Sequence, residues 1–216
     1  MTGPRPVLVV GASGYVGSRV VQGLAADGRA VLAAARRPVP DADGVLPVRY
    51  DTVTDLPDAV RAACGRAGAP LPGAVVASIG GWHKGAALLD DDPERWTATL
   101  ASHLTAHLDA ARALVPLLRP GDPYVVLNGS ASREAMAGSG VISVTGAGLA
   151  MLVQVLRLEA EQRPSAAVRF HELVIDHAVA GDDRNEDPAQ TRTPAQVVHA
   201  LGEVLDQPGA PAVVHV

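Results

Sequence analysis

Val7-Leu8-Val9-Val10-Gly11-Ala12-Ser13-Gly14-Tyr15-Val16-Gly17 is the stretch that decides the fold. Four aliphatic residues, three of them β-branched, read as a short buried strand, and the glycines that follow stand three residues apart. Gly11 permits a tight turn, Gly14 lets backbone amides approach a pyrophosphate, and Gly17 lets the next helix pack closely on the strand. A helix opening at Gly14 presents its unpaired N–H groups there, so Ser13, Gly14, Tyr15 and Val16 are expected to surround a dinucleotide phosphate. An ordinary strand-to-helix turn is the alternative, and the strand before and helix after these glycines favour the dinucleotide.

The second strand says which dinucleotide. An acidic residue at its end would hydrogen-bond the ribose 2′-hydroxyl of NAD, but Ala33-Ala34-Ala35 runs instead into Arg36-Arg37. No carboxylate stands there to repel a 2′-phosphate, and two guanidiniums are available to bind it, so NADP(H) is the expected cofactor. Asp51, just after the third strand, is placed to meet the adenine. Ser13 adds a phosphate contact, and Ser78 and Gly80, at the end of the fourth strand, complete the expected cofactor set.

Working outward, short apolar runs alternate with longer amphipathic segments, the signature of βαβ units joined into a parallel sheet. The seven strands read are Pro6 to Val10, Ala30 to Ala35, Val45 to Tyr50, Ala74 to Ile79, Tyr124 to Asn128, Val168 to Ile175 and Ala212 to Val216. Helices are read from Gly14 to Asp27, Asp55 to Gly65, Pro93 to Leu118, Ser143 to Gln162 and Pro194 to Asp206. Breakers fall between them, as at Asp27-Gly28, Pro120-Gly121-Asp122-Pro123 and Gln207-Pro208-Gly209. The expected fold is α/β: a single Rossmann-type, doubly wound parallel sheet of about seven strands flanked by helices, with the whole chain in one domain. Gly181 to Thr193, polar and rich in Asp, Asn, Arg and Pro, follows the sixth strand; it is either a lid over the ligand or a surface loop.

Composition bounds the partners. With 216 residues, 48% hydrophobic and only 3% aromatic, the core must be built from Val, Leu, Ile and Ala. A net charge of -5 without a basic run gives no footprint for nucleic acid or an anionic membrane, so a small molecule is the expected partner. Cys64 is the single cysteine, no basic leader precedes the first strand, and each apolar run is read as broken short of the ~20 residues a membrane span needs. A cytoplasmic protein is expected.

With these residues placed, the chain resembles the short-chain dehydrogenase/reductase superfamily over nearly its whole length. Trp96 to Leu118 looks like that family's helix between the fourth and fifth strands. Tyr124-Val125-Val126-Leu127-Asn128-Gly129-Ser130 looks like the strand that delivers its catalytic serine, and Leu156-Arg157-Leu158-Glu159 like the end of its active-site helix. The family's usual chemistry needs a Tyr to move the proton and a Lys four residues later. Here those positions fall on Ile142 and Gly146, and the relay asparagine on His103, so Ser130 alone remains. No slip of register repairs this, because residues 142–161 contain neither Tyr nor Lys. The Gly14 spacing and short length are similar to atypical members of the family, such as small flavin or biliverdin reductases and cofactor sensors. The resemblance further implies a homodimer or homotetramer, with Leu149, Leu152, Val153, Leu156 and Leu158 supplying apolar surface, much of which must face the sheet.

Three groups are candidates for other chemistry at the carboxyl ends of the strands: Ser130, Asp176-His177 and Trp82-His83-Lys84. Ser130 is read as a substrate contact or a turn cap. Histidine is the side chain suited to proton transfer near neutral pH, and an adjacent or opposed carboxylate such as Asp176 could orient His177 as general acid or base. Lys84 and His83 follow Gly80-Gly81, whose missing side chains suit close approach by the cofactor, or they belong to a solvated loop. Three functions follow: a reductase using hydride transfer without Tyr-Lys, a non-redox enzyme such as a cyclase or dehydratase, or an NADP(H) sensor. The reductase, acting on a conjugated or carbonyl-type acceptor, is the reading preferred.

Overall fold

A computed structural model describes residues 4–163, 167–181 and 190–216. Seven strands form one wholly parallel sheet: β1 (Val7–Val10), β2 (Val31–Ala35), β3 (Val45–Arg49), β4 (Ala74–Ala77), β5 (Pro123–Gly129), β6 (Arg169–Ile175) and, after a pair described below, β9 (Val213–His215). Their order is β3-β2-β1-β4-β5-β6-β9, so the direction of winding reverses between β1 and β4. Ligands of such sheets lie beyond the strand carboxyl ends at that reversal.

Both faces of the sheet are covered, which is why its strands read as continuous apolar runs rather than alternating ones. On one face Val7, Val9, Ala33, Val125 and Leu173 pack under α1 (Tyr15–Ala26) and α6 (Pro194–Asp206). On the other, Leu8, Val10, Leu32, Val75 and Val126 pack under α2 (Leu56–Ala67), α4 (Ala106–Leu114) and α5 (Gly140–Glu161). Small aliphatic side chains fill both layers, and the tilted pair Tyr124–Phe170, with ring centres 5.4 Å apart, is an aromatic contribution on the α5 face.

The segment expected as one helix over residues 93–118 is divided. α3 (Pro93–Thr99) passes into a π-helical stretch (Leu100–Thr105), then α4, then a 3-10 turn (Val115–Leu117). Such widened turns are frequent at functional sites, and this one carries His103. Two further strands, β7 (Ala178–Val179) and β8 (Thr191–Arg192), pair with each other at the edge of the segment read as lid or loop. Residues 182–189 of that segment lie outside the described residues.

α5 bears on two expectations. Of the five residues offered as interface, Leu149 and Val153 are buried against the sheet and Leu152 and Leu156 are half-buried, leaving Leu158 exposed. The exposed stripe is instead Val144, Met151, Val155 and Leu158, because the helix turns its other side to the core. Among the described residues α5 is also the one helix long and apolar enough to cross a membrane, by length and composition. The reading that every apolar run is broken too early does not hold there, since Gly146 and Gly148 interrupt neither the helix nor its hydropathy.

Candidate functional site

The site begins at the glycine turn. Gly11 has φ +83°, and a Cβ there would lie 2.0 Å from the Ser78 carbonyl oxygen; one on Gly17 would lie 2.2 Å from the Gly11 carbonyl oxygen. These glycines therefore hold the turn against β4 and α1 against the turn. Gly14 caps α1 in extended backbone with no such collision and lines a cleft beside Tyr15 and Val16. Gly14 N donates to the Gly11 carbonyl at 2.9 Å, which closes the turn, and a glycine turn leading into a helix N-terminus fits what a dinucleotide phosphate needs.

At the outer end of the turn Arg37 donates from Nη2 to the Ser13 carbonyl oxygen at 3.3 Å. Arg36 stands near Tyr50, whose hydroxyl burial pushes above its ordinary pKa while the guanidinium opposes the shift. Both arginines are exposed, as is Asp51, whose carboxylate lies 3.7 Å from Arg49. The two guanidiniums and the glycine turn consequently share one end of the sheet.

The cleft, about 1180 Å³, runs from the glycine turn across the ends of β4, β5 and β6. Ser78, Gly80 and Trp82 enter it from the loop after β4, Ser130 and Arg133 from the turn after β5, and Asp176 and His177 from the loop after β6. His83 and Lys84, singled out in the sequence, do not line it; the His83 carbonyl instead accepts from Ser139 Oγ at 3.1 Å. Ser130 opens a 3-10 turn (Ser130–Ser132) in which its carbonyl accepts from Arg133 N and Glu134 N, and among the described residues no hydrogen bond takes up its hydroxyl.

His103 is fastened at both nitrogens. Nε2 lies 2.9 Å from Gly81 N and 2.6 Å from Gly81 O, and Nδ1 lies 3.0 Å from Ser102 Oγ. It braces the loop after β4. Deeper, His107 Nε2 bonds the Ile79 carbonyl at 3.2 Å, and burial lowers its pKa to about 4, so the ring is neutral near pH 7.

Below the cleft, α5 presents Ile142 and Gly146 where the family resemblance places Tyr and Lys. Ile142 packs with Ala131 and Val141, with Trp96 and Met136 against them, into an apolar wall. Gly146 is clamped: its carbonyl accepts from Asn128 Nδ2 at 3.0 Å, and a Cβ would lie 3.1 Å from Ser132 Cα. Asn128 Nδ2 also donates to buried Glu172 Oε1 at 2.8 Å, and Arg133 donates to Glu172 Oε2 at 2.5 Å. Burying that carboxylate is offset by these two donors, which tie β5, β6 and the turn after β5 together.

The sequence reading placed Asp176 as an orienting group for its neighbour His177. In the fold its carboxylate accepts instead from Nδ1 of His215, at 2.9 Å. His215 ends β9, which lies beside β6, and it also lines the cleft. The pairing spans 39 residues of sequence, and no local spacing signals it.

No protein-family model matches the chain, and no curated protein is similar to it in sequence. Solved structures match it closely in shape. A short-chain dehydrogenase from Streptomyces avermitilis aligns with a TM-score of 0.78 at 20% identity, covering 99% of this chain and 88% of its own. A short-chain dehydrogenase/reductase from Serratia marcescens gives 0.78 at 15%, covering 100% and 96%. A Burkholderia cenocepacia short-chain dehydrogenase, solved in complex with NADP, gives 0.77 at 21%, covering 100% and 90%. The chain has the short-chain dehydrogenase/reductase fold. The resemblance inferred from the glycine turn and the Ser130 strand therefore holds at the level of architecture.

Proposed function

We propose that this protein is an NADP(H)-dependent reductase of a small conjugated or carbonyl-type acceptor, working without a Tyr-Lys proton relay. The observation that carries the proposal is the glycine turn, packed without side chains against Ser78, opening directly into the large cleft at the sheet's reversal. The NADP bound to the Burkholderia cenocepacia protein of the same fold supports the choice of cofactor. Arg36 and Arg37 stand where a 2′-phosphate would lie, and Asp51 and Ser13 near the adenosine and phosphate.

When bound, the reduced nicotinamide supplies a hydride. The protein's own residues do the rest. The amides of Ser13, Tyr15 and Val16 would hold the pyrophosphate, Gly14 N being engaged by the Gly11 carbonyl, and Ser78 and Gly80 flank the cofactor from the loop after β4. The wall of Ala131, Met136 and Ile142 excludes water from the acceptor. Ser130 offers its hydroxyl to the acceptor's heteroatom, and the imidazoles beside Asp176, His177 among them, supply the proton. An acceptor whose anion is delocalised suits a site with neither Tyr nor Lys on α5.

One observation favours a second reading, an NADP(H) sensor. A Cβ on Gly146 would lie 3.1 Å from Ser132 Cα and Cβ and 3.3 Å from Asn128 Oδ1, so the site is packed around a glycine there and not around a lysine stem.

Calorimetric titration with NADPH and NADH, followed by cofactor oxidation across quinones, flavins, imines and enones, tests the proposal. NADPH is expected to bind more tightly than NADH, and Arg36→Ala with Arg37→Ala to remove most of that preference. Turnover of any acceptor establishes the reductase. Binding without turnover selects the sensor, and failure to bind either nucleotide overturns both.

A further inference from the structure

Four histidines stand in or beside the cleft, and their surroundings differ. His103 spends both ring nitrogens on Gly81 and Ser102, and His107 is buried beneath the loop with its Nε2 on Ile79. Among the described residues, no carboxylate orients His177. His215 is held through Nδ1 alone by Asp176 Oδ1, at 2.9 Å, which leaves Nε2 as its proton-exchanging atom. The side chains of the pair are half-exposed, 51% for His215 and 36% for Asp176.

A second cavity, about 450 Å³, lies on the far side of this pair, lined by Arg192, Gln196 and His199. Asp176 and His215 are the residues common to both cavities. One cavity opens from the cofactor turn, and the other is a solvent-accessible pocket under α6 and β8. An oriented imidazole between a reaction cleft and a depression open to solvent is the arrangement a reusable proton donor needs.

We propose that His215, oriented by Asp176, is the general acid of the cleft. This rests on the reductase reading given above. A bound reduced nicotinamide would supply the hydride, with its electron pair, to the acceptor carbon and would itself be left oxidised. The acceptor's C=O, C=N or conjugated π bond opens, and its heteroatom takes the proton from Nε2 of the His215 imidazolium. His215 is left neutral with Nδ1–H still on Asp176, and water in the second cavity returns the proton. The charged and titratable groups that share a cavity with the pair are His177, His103, Tyr15, Arg133 and Glu134 in the cleft, and Arg192 on β8 and His199 on α6 in the second cavity. Arg133 is neutralised by Glu172, so it does not compete for Asp176.

Two measurements test the assignment. In 15N-histidine-labelled protein with NADP+, long-range 15N–1H spectra report each tautomer. Neutral His215 is expected as Nδ1–H, opposite to the preference of a free side chain, and Asp176→Asn is expected to alter that tautomer. In steady-state reduction of whichever acceptor the wild type uses, His215→Gln is expected to lower kcat about 100-fold or more. NADPH affinity should remain within twofold of wild type on that substitution, and Asp176→Asn should lower kcat in the same direction. His177→Gln should cost less than His215→Gln. An Nε2–H tautomer at His215, wild-type kcat in His215→Gln, or a larger loss in His177→Gln would each overturn the assignment while leaving the reductase reading intact. A wild-type protein that oxidises no NADPH with any acceptor overturns the reductase reading itself, and the donor role with it.

Discussion

Gly14 and Gly17 stand three residues apart, yet a methyl group added to each meets different surroundings. On Gly17 it strikes the Gly11 carbonyl at 2.2 Å, whereas on Gly14 it lies 3.2 Å from that oxygen at the edge of the cleft. Gly17→Ala should therefore lose about 1–3 kcal/mol in urea unfolding, the usual cost of overpacking. Gly14→Ala, whose methyl makes a tight contact but no collision, should lose less stability than Gly17→Ala yet bind NADPH more weakly, because Gly14 lines the cleft. Equal loss of stability in both would contradict this division. His107 gives a pH prediction of definite sign. Its folded pKa of about 4 lies below the unfolded 6.5, so the unfolded chain binds the extra proton, and stability falls as pH drops through that window. The loss amounts to about 3 kcal/mol. His171, also lowered by burial, adds in the same direction. His107→Gln keeps a donor for the Ile79 carbonyl without titrating, and urea midpoints between pH 4 and 7 should show a shallower slope for it than for wild type.

At the scale of elements, α5 shows how packing sorts a hydrophobic run. Its leucines were expected to divide between the sheet and an outer surface, and packing assigns Leu149 and Val153 inward and leaves Val144, Met151, Val155 and Leu158 outside. Pairing of this stripe with a second copy is the expectation that the resemblance supports, since it is contiguous along the helix. Wild-type protein should sediment as a dimer or tetramer, and the double variant Val155→Glu with Leu158→Glu as a monomer with an unchanged circular dichroism spectrum. A wild-type monomer would make the stripe a solvent face. The strands were legible because burial on both faces makes them uniformly apolar. The break of the α3–α4 helix at His103 was not, because a π-helical widening leaves no mark in hydrophobic spacing.

Across the whole molecule, the two ends of the sheet have different work. At the amino end Arg5 holds Asp122 through Nη1 at 2.9 and 2.6 Å and also bonds the Leu71 and Pro72 carbonyls, joining the starts of β1, β4 and β5. Asp122 in turn accepts from Arg119 N at 2.7 Å. The pair is half-buried, so Asp122→Ala should cost about 2 kcal/mol, measured by urea unfolding. It should leave NADPH affinity unchanged, because the cleft lies at the opposite, carboxyl end of the strands. A parallel loss of affinity would show that the two ends are coupled.

The sequence by itself determined the strand-turn-helix at Gly11 to Gly17, the parallel sheet and the absence of Tyr and Lys from α5, because each is written in local periodicity or residue identity. It also marked Ser130 and Asp176 as cleft residues, since both follow strands at their carboxyl ends. Only the tertiary structure decided that Asp176 faces His215 rather than His177, that Glu172 draws Asn128 and Arg133 together, and that His83 and Lys84 stand outside the cleft. Those contacts join residues 39 or more positions apart for Asp176–His215, Asn128–Glu172 and Arg133–Glu172. They arise from the lateral order of strands β5, β6 and β9, and no local pattern encodes which strand will lie beside which.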